Sequence, residues 1–435
     1  MLSCVRACWG LVALGGVILG SPAGATPASY SDFAIYGTQR VEMSRHDVTG
    51  GPIGSTRDLL VETSDVESIY SARSVVVNGE PADVSGDIVA MGTVDISHEH
   101  DVLGSVHSSA PIGTRAGAEV TGPATATITG DVVALGDVSL ENVLSLGGSA
   151  RSDGDLVVSL DGNITGDARA NGSVYLGLNV DVGGDVVHGT TFSAEPSASI
   201  GGSVTQGATV VTPETFTAVS LPAPALFSGG TGTTGNGAAG TSLSDPLLPG
   251  VYGSLEADEI YLTGGTYVFS AIELTQRSDL YLDLSGDPIE IFVEGDVSFT
   301  SPSKSLDVWV SGDGVTSSDY ASVDPNLASN LWLETHGTFR TDKRVEWFGA
   351  VYAPYEGIDG ELLSVIGALY ARGHVDGDLS EPGIRLFSTS IPQSHVYVAP
   401  SYINPIPEPG TALLLAVGLF GLGLRRRADH RPSRL

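Results

Sequence analysis

From Val132 to Val204 an apolar residue stands two places after a glycine, in turn Val132, Val138, Ala150, Leu156, Ala168, Val174, Val186 and Val204. Four places after the same glycines come Ala134, Leu140, Ser152, Val158, Ala170, Leu176, His188 and Gln206, mostly small or apolar. Residues two apart on a strand point the same way. Each six-residue unit therefore reads as a short side that buries a pair of residues and turns at its glycine. The glycines are Gly130, Gly136, Gly148, Gly154, Gly166, Gly172, Gly184 and Gly202, and Asp or Ser follows each of them. Every gap between them is a multiple of six, and each of the two interleaved series steps by eighteen. A coil of three six-residue sides has this period. The glycine is expected to supply a left-handed backbone at the corner. The following side chain, Asp131, Asp137, Asp155, Asp167 or Asp185 in five cases, can bond to nearby backbone amides.

One such coil cannot bury its own core, so coils must stack. The predicted fold class is all-β: a parallel β-helix or solenoid with 18-residue coils, in two solenoidal segments. The third side is degenerate, with Asn142, Leu160, Leu178 and Pro196 at the expected glycine positions. Upstream, Gly86, Gly92, Gly104 and Gly122 share a phase, and two additional residues before Gly130 shift the frame. Units such as "GDVVALGDVSL" and "GDARANGSVYL" resemble the bactofilin family of β-helical proteins and, more distantly, the hexapeptide-repeat transferases. The resemblance implies a fold, not a function.

The repeat sets the domain boundaries. Residues 80–211 are the first solenoid, and 26–79 read as a β-rich lead-in and cap, since an open end exposes unpaired strands. Residues 212–245 include "SGGTGTTGNGAAGTSLSD" and read as a Gly/Thr-rich linker or loop. Residues 246–398 alternate again at Leu280, Leu282 and Leu284, and "GAVYA" at Gly349 returns as "GALYA" at Gly367. They read as a second β-helical domain, similar to modules of exported bacterial surface proteins.

The two ends read as addresses. Residues 1–25 have Arg6, an apolar run and Ala23-Gly24-Ala25, the pattern of a secretory signal cleaved before Thr26. Export through the Sec translocon follows. Cys4 and Cys8, the only cysteines, lie inside this segment, so the mature chain has no disulfide and no thiolate chemistry. At the other end, 399–435, Pro407-Glu408-Pro409 precedes an apolar stretch at 411–424 and then Arg425, Arg426 and Arg427 in a basic tail, 425–435. This is similar to the PEP-CTERM sorting signal of exosortase substrates. The resemblance implies an exosortase-like protease as partner, transient insertion in the inner membrane, and delivery to the cell surface or extracellular matrix of a Gram-negative bacterium. Eight residues follow the arginines, more than that family usually carries. The apolar stretch is short for a permanent span of roughly twenty residues, and the arginines keep the tail cytoplasmic.

Composition narrows the partners. The formal net charge is −31, with 51 acidic residues and only Lys304 and Lys343 as lysines. Nucleic acid and anionic membrane surfaces are poor partners for such a chain, and no nucleic acid partner is expected. A solvated acidic exterior is the plain reading of that charge.

Candidate chemistry is sparse. His98, His100 and His107 could bind a metal by imidazole spacing, although the third side lets polar residues face water. Gly-Asp corners, which also include Asp87, Asp296 and Asp378, could form a weak carboxylate ladder for Ca²⁺, but turn capping accounts for them without a cofactor. Glu256, Asp258 and Glu259 are the acids a polysaccharide-acting enzyme could use. No nucleophile elbow, phosphate loop or dinucleotide fingerprint accompanies them, and the expectation is a non-enzyme. An ice-binding face would need regular threonine arrays, and "TATIT" at Thr125 to Thr129 stands alone. The sequence thus predicts an exported structural or adhesive solenoid that contacts exopolysaccharide and self-associates.

Overall fold

A computed structural model describes residues 26–393 apart from 46, 49–50, 80–82, 98–99, 111, 116–125, 142–143, 236–243, 257–258, 275–278, 301–306, 312–323, 343–344, 362, 374–383 and 388–389. The described residues form a parallel β-solenoid of about 15 turns with almost no helix. Strands are short because each side must turn after a few residues. Val132–Ala134, Ala150–Ser152, Ala168–Ala170 and Val186–His188 stack in register on one sheet. Val138–Leu140, Leu156–Leu160 and Val174–Leu178 stack on a second. Leu144–Leu146, Asn163–Ile164 and Asp181–Val182 make the third, narrow side. Val132, Ala150, Ala168 and Val186 are fully buried in one column, which places the apolar position two after each glycine inside the coil. Each buried valine is worth roughly 1.5–3 kcal/mol relative to exposure.

The chain order along the rod differs from the order in sequence. Ile35–Gly37 pairs on one side with Ile53–Ser55 and on the other with Leu363–Ala371, Ile35 lying opposite Leu369. The two solenoidal segments are therefore one continuous stack. It runs from Gly250–Val251 up through Gly265–Phe269, Ile289–Val293, Leu331–Thr335, Val345–Ala353 and Leu363–Ala371. It then passes to Ile35–Gly37 and climbs to Val204–Gln206. Residues 26–79 are thus interior coils and not an end cap. The edge that a cap would cover is covered instead by residues more than 300 positions away in sequence.

Two further expectations change. Val106 pairs with Val132, so that coil is longer than its neighbours by eight residues, and Gly104, not Gly122, is the corner beneath Gly130. The stretch expected to be a linker or loop lies against the rod from about 209 to 235. The chain leaves the last coil at Gly207 and runs back down the outside of the first sheet. Thr209 exchanges hydrogen bonds with the Asn171 amide, at 2.7 and 3.0 Å. Val219 both donates to and accepts from the Tyr36 hydroxyl at 2.9 Å. Lower down, the Tyr352 hydroxyl donates to Pro222 O at 2.6 Å. Gly230 N donates to Tyr252 O at 2.7 Å, and Thr233–Gly235 then starts the lowest coil.

This return segment explains a second apolar cluster outside the coil. Phe33, Tyr36, Tyr70, Phe292, Trp332, Tyr352 and Tyr370 lie buried on the outer face of the first sheet, packed with Phe216, Leu221 and Ala225 of the returning chain. Phe33, Tyr70 and Phe216 meet at ring-centroid distances of 5.7–6.0 Å, within the range of favourable aromatic pairing.

Candidate functional site

The corners form hydrogen-bonded ladders along the rod. Asp87 Oδ1 accepts from Ser105 N at 2.7 Å, and Ser105 Oγ from Asp131 N at 3.0 Å. Asp131 Oδ1 then accepts from Ser149 N, Ser149 Oγ from Asp167 N, Asp167 Oδ1 from Asp185 N and Asp185 Oδ1 from Ser203 N, at 2.8–3.1 Å. A second ladder runs from Asp137 through Asp155 to Ser173. Lower in the rod Asp296 Oδ1 accepts from Thr338 N at 2.8 Å. Each side chain thus satisfies an amide one coil above, where the sheets leave amides without strand partners. The amide of Asp185 and the guanidinium of Arg169 hold the Asp167 carboxyl below the usual carboxylate range. Backbone and hydroxyl bonds from Ser203 do the same for Asp185.

The glycines serve these ladders in a way the sequence did not reveal. None of Gly130, Gly136, Gly148, Gly154, Gly166, Gly172, Gly184 and Gly202 has a left-handed backbone. The left-handed corners of this region are Asp161 and Asn179, at φ 45° and 56°, with Asn179 Nδ2 donating to Asp161 Oδ1 at 2.8 Å. At the ladder glycines the constraint is space. A Cβ on Gly148, Gly154, Gly172, Gly184 or Gly202 would strike the Oδ1 of the aspartate below, and one on Gly130 or Gly166 the serine Oγ. The glycine is the gap through which the lower side chain reaches its amide.

Other candidate residues are dispersed. His98 and Asp258 lie outside the described residues, as do Asp378 and Thr125. His100 is buried at the start of the third side. His107 sits on the first sheet, where its Nδ1 accepts from Glu214 N of the return segment at 3.1 Å. Burial lowers the His107 pKa against the opposing pull of Glu214, Asp87 and Asp131, and the neutral ring suits an acceptor role. Glu256 and Glu259 are exposed on successive sides of the lowest coils. Thr127 stands in a column with Asp101, Ser145, Asn163, Asp181 and Ser199, not with further threonines. Among the described residues no group of three His, Cys, Asp or Glu side chains is placed to hold a metal ion.

Sequence reasoning passed over the contacts beneath the return segment. Glu334 is almost fully buried; its Oε1 accepts from Ala225 N at 2.7 Å and lies 3.2 Å from His336 Nε2. His336 packs on Phe227 with ring centroids 4.2 Å apart. The only sequence signal was the break in alternation at "LWLETHG", where outward positions turn large or acidic. Tyr261 and Tyr281, on a lower third side, stack with centroids 4.1 Å apart.

Both rod ends carry exposed apolar residues. At the lower end Leu247 is buried while Leu248 and Val251 are exposed. At the upper end Val204–Gln206 is exposed throughout, and Phe192 and Ile200 are only partly covered.

A family model described as a domain of unknown function (DUF7305) matches residues 234–378, the lower coils. A second, the PEP-CTERM protein-sorting motif, matches 405–427. No curated protein matches the chain. Two solved structures are similar in fold at 12% identity. The ice binding protein from an Antarctic bacterium, Flavobacteriaceae, is matched over 86% of this chain and 98% of its own, with a TM-score of 0.22. A possible adhesin C-terminal domain from Caldicellulosiruptor kronotskyensis is matched over 67% and 92%, with a TM-score of 0.26. Superpositions this loose carry nothing about function. The bactofilin-like resemblance is not confirmed.

The class is thus a β-solenoid bearing a PEP-CTERM sorting signal: an exported protein of the cell surface or extracellular space, processed by an exosortase-type system. Pro407, Glu408, Pro409 and Arg425 to Arg427 fall inside the matched motif. That motif, the 411–424 stretch and the signal segment with Ala23 and Ala25 lie outside the described residues. Among the described residues no helix is long and apolar enough to cross a membrane.

Proposed function

We propose that this protein is a non-enzymatic structural or adhesive element of the surface or polysaccharide matrix of a Gram-negative bacterium. The observation that carries the reading is the sorting motif at 405–427 behind a rod whose corners are laddered with carboxylates. A rod of about 15 turns at roughly 4.8 Å each is about 70 Å long. Its corner hydrogen bonds tie each coil to the next, which suits a load-bearing element outside the cell, where a chain without disulfides must hold by packing and hydrogen bonds. The acidic surface keeps the sides of neighbouring rods apart and leaves hydroxyl-rich glycan or divalent cations as compatible surroundings.

The test is intact mass and location of the native protein in fractionated cells. The expected form lacks residues 1–25 and everything beyond about Pro409, and is found in the surface or matrix fraction. A mass retaining Arg425 to Leu435 in the inner membrane would refute sorting. Incubation with exopolysaccharide checks the rest: release of reducing ends or unsaturated products would assign a polysaccharide-acting enzyme instead.

A further inference from the structure

The order of the coils leaves both ends of the rod in the middle of the chain. The upper end is residues 189–206, and the lower begins at Thr233–Gly235. Ile35–Gly37 and Ser390–Gln393 both lie at the junction of the two segments, where Asp47–Val48 pairs with Ser390–Ile391. Among the described residues, none lies above the upper coil in the strand pairing, where Val204–Gln206 has Val186–His188 as its one strand partner.

That coil has three properties of an unfinished stack. Its edge is open: Ser203 O and Gly207 N bond downward, so by strand alternation Val204 and Gln206 present their N–H and C=O groups outward. Its interior is uncovered, since Val204 is 43% exposed where its column mates Val186 and Ala168 are at 0%. Its charge is low, because residues 189–206 hold one acid, Glu195, and no Lys or Arg, in a chain with 51 acids. Open strand edges are usually guarded by charge, proline or a covering segment. Here the edge strand Val204–Gln206 has none of these. At the lower end Leu247 is buried and Pro246 and Pro249 remove edge donors, while Leu248 and Val251 are exposed.

We infer that the upper coil, residues 189–206, is the docking surface for the same coil of a second copy. A two-fold axis through the first sheet runs Val204–Gln206 antiparallel to its mate, so the free N–H and C=O groups of Val204 pair with those of the mate's Gln206 and the exposed Val204 is covered. An isologous contact of this kind closes on itself and gives a dimer. The dimer is a rod of double length. This deepens the structural reading above, on which it rests.

The test is sedimentation of the mature protein recovered from cells, wild type and two variants. The expected wild-type particle has twice the monomer mass. Val204→Lys puts a charge into the covered contact and is expected to weaken the dimer about tenfold or more. Gln206→Pro removes an edge donor that has no partner within its own chain, with a similar expected loss. Each variant's melting temperature and β-sheet circular dichroism report that it is folded. A monomeric wild type overturns the proposal, as does a folded V204K that remains fully dimeric. Particles larger than a dimer overturn the two-fold pairing. Intact mass and cell fraction are read on the same samples, so a failure of sorting is seen separately from a failure to pair.

Discussion

Replacing Gly184 by alanine distinguishes two accounts of the corner glycine. If the glycine were needed for its backbone angle, the substitution would cost the same whatever lies below it. The structure says instead that the new Cβ would strike Asp167 Oδ1 and lie 2.8 Å from Gly166 O. Asp167 would then lose its 2.8 Å bond from Asp185 N. A hydrogen bond to a charged group is worth roughly 1.5–3 kcal/mol, reduced to about 1 kcal/mol for a carboxylate this open to solvent. Crowding against the Gly166 carbonyl adds about 1–2 kcal/mol of overpacking. G184A should therefore cost about 2–3 kcal/mol and D167A about 1 kcal/mol. The double variant should cost only about 2 kcal/mol, because without the carboxylate one of the two clashes is gone. The coupling of about 1 kcal/mol is measurable by urea denaturation of the four proteins, with m-values compared to check that the unfolding unit is unchanged. Strict additivity would refute the argument that the glycine makes room for the ladder.

Acid should loosen the ladders. The folded pKa values of Asp167 and Asp185 lie below their ordinary value, so their contribution is complete above the usual carboxylate range and is lost as pH falls through the folded values, below about 4. Melting temperature followed from pH 5 to 2.5 should fall, and D167N should flatten the fall. At the other extreme, burial on the outer face of the first sheet pushes the Tyr36 and Tyr70 hydroxyls up to about 12. That stabilisation is complete below pH about 10 and is lost as pH rises through 12. Phenolate absorbance should show a late-titrating class that appears together with release of the return segment. Phe216→Ala empties a site that is 3% exposed and should cost about 3 kcal/mol. The loss should be local, with amide exchange near Thr215 to Val219 rising more than at Val132–Ala134.

The coil period was legible because it is a local signal. Eighteen residues separate Ala150 from Ala168 and Ala168 from Val186, and each step needs only its own glycine and apolar pair. The sorting motif was legible for the same reason, since Pro407 to Arg427 is read as a linear segment. The left-handed corners were misplaced because glycine answers two needs, backbone freedom and lateral space, and only the position of Asp167 beneath Gly184 tells them apart. The return segment was taken for a linker because Phe216, Leu221 and Ala225 carry no period of their own. Their partners, Tyr36, Tyr70 and Tyr352, are scattered over the chain.

By itself the sequence determined the solenoid, its 18-residue coil, its acidic cysteine-free exterior and its sorting signal. Each of these is written in spacing or composition within a short window. The tertiary structure alone decided the order of the coils. Ile35 could have begun a stack or continued one, and the same open edges are offered by any alternating strand. Leu369 closes against it because two uncovered solenoid ends of matching width otherwise leave their amides and core side chains in water. That one pairing merges two segments into a rod, sends residues 209–235 along its side and puts Ile35–Gly37 and Ser390–Gln393 at its waist.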